Sequence, residues 1–448
     1  MAYTLRFPSR SRAAAAGSDG KKADDTPHVV IVGGGFGGLA AAKALKGAPV
    51  RVTLVDRANH HLFQPLLYQV ATAALSDADI AAPIRSILRA QANTTVLLGE
   101  VTGVDLADRA VILAPAPETG DTTAERLSYD YLILAPGVAT TYFGHDAWRQ
   151  DAPGLKSLDD AIEIRRRVFL AFEVAERERD TAIRRRLLTF VVVGGGPTGV
   201  EVAGALAEIA HEAMAREFRT IDPNDATIYL LDAGPRILAT FPADLARTAA
   251  MDLEHLGVEI RTGAAVTGIT RDAVQIGDTR IAAATLIWAA GVTASSLGRS
   301  LGVPLEKGGR VPVGADLTLA GHPEVFVIGD LATLKDARGN VLPGLAPVAT
   351  QQGKAAAANI VRALRGEPKR AFHYRDRGNI ATIGRNRAVA VVYGIETRGF
   401  VAWAIWVFIH ILTLIDYRNR VAVMAQWTYA YFTHRRPARL IRADTRAP

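Results

Sequence analysis

Cysteine does not occur anywhere in the 448-residue sequence. Its absence excludes disulfide bonds, thiolate metal sites, iron–sulfur clusters and any mechanism that passes electrons through paired redox thiols, and we predict no metal site. It indicates nothing about compartment, because such a chain tolerates oxidising and reducing surroundings alike. Residues 1–26 also lack an apolar run and are rich in Ala, Ser, Gly, Arg and Lys. We therefore predict a disordered tail without a secretory signal, and its acidic residues suit a cleaved transit sequence poorly.

Composition bounds the class of protein. Hydrophobic residues make up 49% and charged residues 22% of the chain, so most of it is expected to fold in water. A length of 448 residues exceeds that of one hydrophobic core, and we expect two or three folded units. The net charge of +7 fits either a nucleic acid or an anionic lipid surface, so the position of the basic residues has to decide between them.

A phosphate-binding motif follows the tail. Four β-forming residues, VVIV, lead into GGGFGGLAAAKAL, in which Gly33, Gly35 and Gly38 have GxGxxG spacing and Phe36 lies between them. The first glycine permits a tight turn, the second lets the backbone approach a pyrophosphate, and the third lets strand and helix pack closely. The next strand, VRVTLVD, ends at Asp56, where a carboxylate would bind the ribose hydroxyls of a dinucleotide.

The same design occurs a second time. The segment VVVGGGPTGVEVAGAL contains Gly194, Gly196 and Gly199 in the same spacing, and the strand TIYLLD ends at Asp232. A lone GxGxxG is a weak signal, but two copies with an acidic strand end each predict two bound dinucleotides.

Each half also closes in a similar way. The apolar strand YDYLILAPG runs through Ala135 to Gly137, and ATLIWAAG ends at Gly291. A third apolar strand, VFVIGD, ends at Asp330. One such strand and turn is common in any buried core, but five related elements in this order indicate a repeat of whole domains.

These motifs together resemble the two-dinucleotide-binding flavoprotein reductases. The resemblance implies that the first motif and Asp56 bind the pyrophosphate and ribose of FAD, and that Asp330 binds its ribityl chain. The second motif and Asp232 would hold the nicotinamide cofactor, and Phe36, Ala135, Gly137 and Gly291 are expected beside the two cofactors. The implied fold class is α/β, with two Rossmann-like domains, namely an FAD domain and an inserted NAD domain, and C-terminal amphipathic membrane-binding helices. The predicted boundaries are 1–26 for the tail, 27–150 and 310–375 for the FAD domain, 151–309 for the NAD domain and 376–448 for the C-terminal region.

Three segments separate the branches of this family, namely residues 59–72, residues 344–360 and the C-terminal region. Without cysteine, the chain resembles either the reductases of ferredoxin or rubredoxin or the type II NADH:quinone oxidoreductases. Residues 59–72, NHHLFQPLLYQVAT, resemble the segment that the quinone reductases place beside the flavin, although the pattern also suits a core helix. Residues 344–360 place Gln351 and Gln352 at the start of an Ala-rich helix, where amides also satisfy helix-terminal groups. The resemblance implies that both glutamines contact quinone and flavin.

The C-terminal region resembles the membrane-binding region of the quinone reductases. Its apolar segment FVAWAIWVFIHILTLI has 16 residues, hence about 24 Å as a helix, and is expected to lie on an anionic bilayer because the hydrocarbon core is roughly 30 Å thick. A buried homodimer interface stays open as the alternative, and nucleic acid is not an expected partner. The rings expected at the headgroups and the arginines expected against lipid are Trp403, Trp406, Trp427, Tyr429, Tyr431, Arg418, Arg420, Arg435, Arg436, Arg439 and Arg442.

The resemblance implies FAD-dependent oxidation of NADH with two-electron reduction of a membrane quinone by a non-proton-pumping respiratory dehydrogenase. The expected location is peripheral, on the cytoplasmic face of a bacterial inner membrane. Glu201 is the carboxylate best placed to reach the flavin, with a plain helix-dipole role as the alternative, and Arg385 falls near the expected quinone pocket. A soluble NADH-dependent reductase of a ferredoxin- or rubredoxin-like carrier and a membrane-attached NADH-sensing flavoprotein remain as alternative functions.

Overall fold

The computed structural model describes residues 26–115, 123–215, 217–336, 338–415, 417–433, 436 and 438–441. Almost all of the tail predicted at residues 1–26 lies outside the described residues, as do Arg435 and Arg442. Within the described residues, strands and helices alternate and build two parallel sheets. The predicted α/β class is therefore confirmed.

The first parallel sheet contains strands from both sides of an insertion. Its order is β20 (Thr318–Leu319), β21 (His322–Val327), β9 (Tyr131–Leu134), β1 (His28–Val32), β2 (Arg51–Asp56) and β5 (Thr94–Leu98). Its pairings are parallel except that of β20 with β21. All residues of β1 are buried, as expected of a strand that helices cover on both faces. Because β21 lies beside β9, the chain returns to the sheet with which it begins.

The second parallel sheet is formed by the inserted part of the chain. Its order is β13 (Val258–Arg261), β12 (Thr227–Leu231), β11 (Thr189–Val193) and β17 (Thr285–Trp288). All of these pairings are parallel. An antiparallel pair lies where the chain leaves and re-enters the first unit, and it consists of β10 (Val138–Thr140) and β18 (Val292–Ala294).

Small sheets complete the structure. They comprise β3 (His60–Leu62) with β4 (Ala81–Pro83), β6 (Val101–Asp105) with β7 (Ala110–Leu113) and β8 (Glu125–Ser128), β14 (Val266–Thr270) with β15 (Ala273–Ile276) and β16 (Thr279–Ala282), and β19 (Val311–Pro312) with β22 (Ala332–Thr333). A last sheet, of β23 (Asn379–Gly384), β24 (Arg387–Val392) and β25 (Ile395–Arg398), belongs to the C-terminal region.

The helices cover these sheets and join the units. They are α1 (Phe36–Ala44), α2 (Leu67–Ala71), α3 (Asp77–Ile80), α4 (Ile84–Leu88), α5 (Leu158–Arg177), α6 (Thr181–Leu187), α7 (Pro197–Glu208), α8 (Ala243–His255), α9 (Ala346–Leu364), α10 (Gly399–Thr413) and α11 (Tyr417–Thr433). Helices α1 and α9 approach closely, because a Cβ at Gly353 would collide with the carbonyl of Gly37. Helix α7 meets β23 in the same way, since a Cβ at Gly204 would collide with the carbonyl of Ile383. The C-terminal sheet is thereby packed onto the second unit.

The two C-terminal helices have a large apolar surface. Side chains that are at least two-fifths exposed on them include Phe400, Val401, Phe408, Leu412, Val421, Met424 and Phe432. In the part of the chain that the structure describes, no helix is both long and apolar enough to span a bilayer.

Candidate active site

The first GxGxxG motif forms an open cradle between β1 and α1. Gly33 has a φ of +100°, and a Cβ there would collide with the carbonyl of Ala135. A Cβ at Gly38 would collide with the carbonyl of Gly33, whereas one at Gly35 would meet open space within the described structure. The tight turn and close packing are thus built at the first and third glycines, and the space left at the second is where a pyrophosphate fits.

Asp56 closes this cradle at the end of β2. Its Oδ2 accepts a hydrogen bond from the backbone N–H of Gly34 at 2.5 Å, and its Oδ1 accepts one from Ala58 at 2.7 Å. The carboxylate is therefore held at the edge of the cradle, where the ribose of a dinucleotide lies. Phe36 begins α1 and meets the edges of the His61 and Phe63 rings, with centroids 5.1 and 5.9 Å away.

The second cradle repeats the first in detail. Gly194 has a φ of +111° and abuts the backbone of Ala289, while a Cβ at Gly199 would collide with the carbonyl of Gly194. At Gly196 an added Cβ would again meet open space within the described structure. Asp232 accepts hydrogen bonds from the backbone N–H groups of Gly195 at 2.5 Å and Gly234 at 2.6 Å. Two dinucleotides therefore fit the residues present, one at each cradle.

The closing strands place their ends where the two units meet. The carbonyl of Gly137 accepts from the N–H of Ser295 at 3.2 Å, and that of Gly291 accepts from Thr141 at 3.2 Å. Asp330 follows β21, and burial raises its pKa while nearby Lys156 opposes that rise. Gly137 and Asp330 follow strands of the first sheet and Gly291 follows β17 of the second, and their contacts with a cofactor stay a prediction.

The two glutamines of α9 make hydrogen bonds to the backbone. Gln352 is 2% exposed, and its Oε1 accepts the N–H of Gly329 at 2.7 Å. The side chain of Gln351 both donates to the carbonyl and accepts from the N–H of Arg375, each at 3.0 Å. Gln352 thus holds the turn that carries Asp330. Among the described residues, neither glutamine lines the cavity discussed next.

An apolar cavity of about 500 Å³ lies between α2, α7, the turn after β23 and the C-terminal helices. The aromatic part of its wall comes from α10 and α11, where Trp406 stacks on Trp427 with ring centroids 5.0 Å apart. Trp403 lies beside Tyr431, with centroids 5.7 Å apart. The segment predicted to bind membranes therefore forms the aromatic wall of the cavity.

A chain of polar groups forms one wall of the cavity. The Tyr68 hydroxyl lies 3.4 Å from the Thr382 hydroxyl and accepts from the Gln69 amide at 3.1 Å. Gln69 accepts in turn from the indole N–H of Trp427 at 2.8 Å. Burial raises the pKa of Glu201 to about 8, although the backbone N–H of Thr382 donates to it. Glu201 is therefore mostly protonated at neutral pH, and burial likewise keeps the Tyr68 hydroxyl protonated by raising its pKa.

An ion pair between Arg436 and Glu208 forms another part of the cavity wall. Arg436 donates from one guanidinium nitrogen to Glu208 at 2.8 Å and from another to the carbonyl of Thr72 at 2.9 Å. The other oxygen of Glu208 accepts the backbone N–H of Arg385 at 2.6 Å. The Arg385 guanidinium lies 4.2 Å from the centre of the Tyr431 ring. Arg385 thus reaches the cavity, and its expected place near a quinone stays a prediction.

The structure corrects several expected lipid contacts. Trp406 is 3% exposed and therefore does not face headgroups, whereas the half-buried Trp427 and Tyr431 line the cavity. Arg436 was predicted to face lipid, but it is buried against Glu208. Arg439 pairs with Glu217, and Arg420 donates to the carbonyl of Leu414 at 2.8 Å. For Trp406 the reason is that α10 is apolar on all sides, so its sequence does not show which face turns inward.

Sequence reasoning did not single out Tyr68, Thr382 or Glu208. Tyr68 and Thr382 lie 314 positions apart, and sequence alone carries no signal of such a contact. Glu208 had a signal, because it follows Glu201 by seven positions in one helix and therefore shares its face.

Known proteins share both the sequence and the fold. Residues 27–353 match the family model described as pyridine nucleotide-disulphide oxidoreductase. A type II NADH:quinone oxidoreductase of Mycobacterium tuberculosis is 45% identical over 421 residues, which cover 91% of this chain and 89% of that protein. An internal alternative NAD(P)H-ubiquinone oxidoreductase of Arabidopsis thaliana mitochondria is 29% identical, covering 91% and 84%. The solved structure of NDH2 from Plasmodium falciparum in complex with NADH has a TM-score of 0.83 at 20% identity, covers 92% of this chain and 99% of that chain, and shows a common fold.

Two glycine cradles, one on each parallel sheet, define a reductase that binds two dinucleotides. The chain belongs to the pyridine nucleotide-disulphide oxidoreductase family and, within it, to the type II NADH:quinone oxidoreductases. The resemblance noted in the sequence is confirmed, and so are FAD and NADH as the cofactors.

Proposed function

We propose that this chain is a respiratory NADH dehydrogenase that does not pump protons, and that it reduces a quinone held in the 500 Å³ cavity. FAD, when bound, accepts hydride from NADH and passes two electrons to the quinone. This activity, which the sequence predicted, is confirmed by membership of the type II family. The observation that carries the site is a cavity with aromatic walls on one side and a protonated carboxyl group on the other.

A quinone head group suits these walls. Ligand pockets of this size are lined mainly by apolar and aromatic side chains, with a few polar groups that fix orientation. Trp403, Trp406 and Trp427 supply flat apolar faces. The Tyr68 hydroxyl, which burial keeps protonated, supplies a donor for a quinone oxygen. Glu201 holds a proton in the same wall at neutral pH and is placed to release it as quinol forms.

The cofactor-binding residues and the domain boundaries inferred from the sequence remain part of this proposal. The glutamines are assigned differently from the sequence expectation, because their amides are used by the backbone of Gly329 and Arg375. Gln352 acts through the turn that carries Asp330, and Gln351 through the loop that leads to β23. Both are positioning residues of the flavin site.

The decisive experiment for function is NADH oxidation by the pure FAD-loaded protein with and without a soluble quinone analogue. We expect stoichiometric formation of quinol and little oxidation without the acceptor. Tyr68→Phe should raise the KM for the quinone while the stopped-flow rate of flavin reduction by NADH stays unchanged. Thr95→Ser, a change on β5 of the first sheet, is the control. Oxidation that required a ferredoxin- or rubredoxin-like protein, or no turnover with any acceptor, would support the two alternative functions instead.

We extend the proposal to the membrane. The exposed apolar side chains of α10 and α11 form a surface that a bilayer interface would cover, and attachment should have an apolar part that salt does not remove. NADH must reach the second cradle, so we place the enzyme on the cytoplasmic face of a bacterial inner membrane. A homodimer that buries the same surface is the competing arrangement.

Vesicle flotation separates these two arrangements. Replacing Phe408 and Leu412 with serine should reduce flotation on anionic vesicles at low and high salt, because both side chains are more than half exposed. Met251→Ser is the matched control, since Met251 is 63% exposed but lies on α8 of the second unit. Unchanged flotation together with loss of a dimer in solution would favour the homodimer interface.

A further inference from the structure

The stoichiometry of the reaction requires one proton that NADH does not supply. NADH delivers a hydride, which carries two electrons and one proton, whereas a quinol gains two electrons and two protons. The overall reaction is NADH + H⁺ + quinone → NAD⁺ + quinol, so each turnover takes one proton from water. The mouth of the quinone cavity is lined by exposed apolar side chains of α10 and α11, among them Phe400 and Phe432. In the proposed function, on which this inference rests, the membrane covers that mouth, so water has to reach the cavity from another side.

A second cavity, of about 380 Å³, lies on the other side of Arg436. It reaches the protein surface, since Leu440 and Ile441 in its wall are 73% and 40% exposed. Its polar lining includes Glu173, Glu217 and Arg439. Arg436 lines both cavities. Arg436 therefore separates the quinone cavity from a cavity open to water, and Glu208, which lines the quinone cavity, is paired with it.

We propose that Glu208 is the proton-entry residue, which takes the solvent proton of each turnover from the second cavity and releases it into the quinone cavity. The bond that breaks is an O–H bond of water or hydronium in the second cavity, and the bond that forms is on a carboxyl oxygen of Glu208. The same proton then leaves for the wall that contains Tyr68 and Glu201. No electron moves in this step, and Glu208 returns to its carboxylate for the next turnover.

The groups around Glu208 suit a carboxyl that changes its protonation state. Arg436 from the segment after α11, Arg385 from the β23–β24 turn and Glu212 from the turn after α7 face it, and Tyr68 faces it from α2. Burial raises the pKa of Glu208, and the two arginines oppose that rise. Burial and charge thus act in opposite directions on the pKa of Glu208, whereas a fully exposed carboxyl has no burial to raise its pKa.

The remaining path to Glu201 is short. Seven residues of α7 separate the two carboxyl groups, hence about 10 Å along the helix. Tyr68 is near both of them, because both carboxyl groups contribute to raising its pKa. Its hydroxyl contacts that of Thr382, whose backbone N–H donates to Glu201. A cavity of about 500 Å³ leaves room for water beside a quinone head group, since one water occupies about 30 Å³.

The test uses the FAD-loaded full chain carrying Glu208→Gln, which keeps the size of the side chain. Stopped-flow should show an unchanged rate of flavin reduction by NADH, and quinol formation about tenfold slower or worse. Added formate should restore part of that rate, because a small acid can carry the proton through the second cavity. Glu208→Asp should retain more of the rate than Glu208→Gln. The control is Asp252→Asn, which breaks another partly buried ion pair, with Arg387 of the C-terminal sheet, and should leave quinol formation and formate response unchanged.

Three results would overturn the proposal. An unchanged rate of quinol formation in Glu208→Gln would mean that the proton enters elsewhere. A rate lost without any formate rescue, together with a raised KM for quinone, would reduce Glu208 to a positioning role through Arg436. An equal loss in Asp252→Asn would trace the effect to attachment of the C-terminal region. Failure of the wild-type protein to reduce the quinone analogue would instead refute the proposed function, so the two failures are distinguishable.

Discussion

Replacing Glu201 with glutamine should change how stability and quinone reduction depend on pH. Burial raises the pKa of this carboxyl from an ordinary value of 4.5 to about 8. Between these values the folded protein holds a proton that the unfolded chain has released. The free energy of unfolding of the wild type therefore falls as pH rises from about 4.5 to 8 and levels off above. Glutamine cannot ionise, so this contribution to the fall is absent in the variant.

The size of the effect follows from the pKa. One pKa unit corresponds to about 1.4 kcal/mol, and a rise from 4.5 to about 8 therefore sets an upper limit of about 5 kcal/mol. Because Glu201 borders a cavity that admits water, we expect about half of this limit. The variant should gain about 2 to 3 kcal/mol over the wild type between pH 5 and pH 9.

Urea unfolding of both proteins at pH 5, 7 and 9, with saturating FAD, measures this difference. The comparison between variant and wild type cancels every titration that the two proteins share. In parallel, quinol formation by the wild type should decline above about pH 8 as the proton of Glu201 is lost, while the slower variant should lack that decline. Equal pH dependence of unfolding in the two proteins would refute the reasoning, because the pKa of Glu201 would then be ordinary.

The other predictions concern the cradles and α9. Gly38→Ala should purify without FAD, because its Cβ would collide with the carbonyl of Gly33. Gly199→Ala should keep FAD but lose NADH binding. Absorbance at 450 nm measures bound FAD, and titration with NADH measures the second site. Asp232→Ala should lower kcat/KM for NADH about tenfold. It should also narrow the preference for NADH over NADPH, because the carboxylate repels the 2′-phosphate of NADPH. Equal kcat/KM values for NADH and NADPH in the wild type would contradict this prediction. Gln352→Leu should weaken FAD binding, because it leaves the N–H of Gly329 unpaired at a cost of about 1 to 3 kcal/mol. FAD release measured by fluorescence tests this. An unchanged affinity for FAD would favour the original assignment of Gln352 as a quinone contact.

The sequence predicted the part of the site that is built locally. Each cradle consists of one strand, three glycines and the start of one helix, so its geometry depends on backbone freedom at positions that the spacing reveals. The acidic ends of β2 and β12 lie beside the cradles because neighbouring parallel strands place their carboxyl ends at one edge of the sheet. Family resemblance supplied the rest of the function.

The tryptophans lie elsewhere than the sequence indicated, whereas the expected glutamine contacts with quinone and flavin stay a prediction. The amides of Gln351 and Gln352 hydrogen-bond backbone groups 24 and 23 positions away. Trp406 and Trp427 were expected at headgroups and instead stack inside the cavity wall. An amide or an indole suits either setting, and only the packing of the surrounding elements decides which one it meets.

The sequence by itself therefore determined the two dinucleotide sites, the α/β class and the apolar character of the C-terminal helices. Local chemistry suffices for these, because each depends on residues within one strand, turn or helix. The tertiary structure alone decided the apolar cavity, the protonated state of Glu201 and the pairing of Glu208 with Arg436 across 228 positions. A pKa depends on burial and a cavity on the elements that enclose it, and both arise only when distant segments exclude water together.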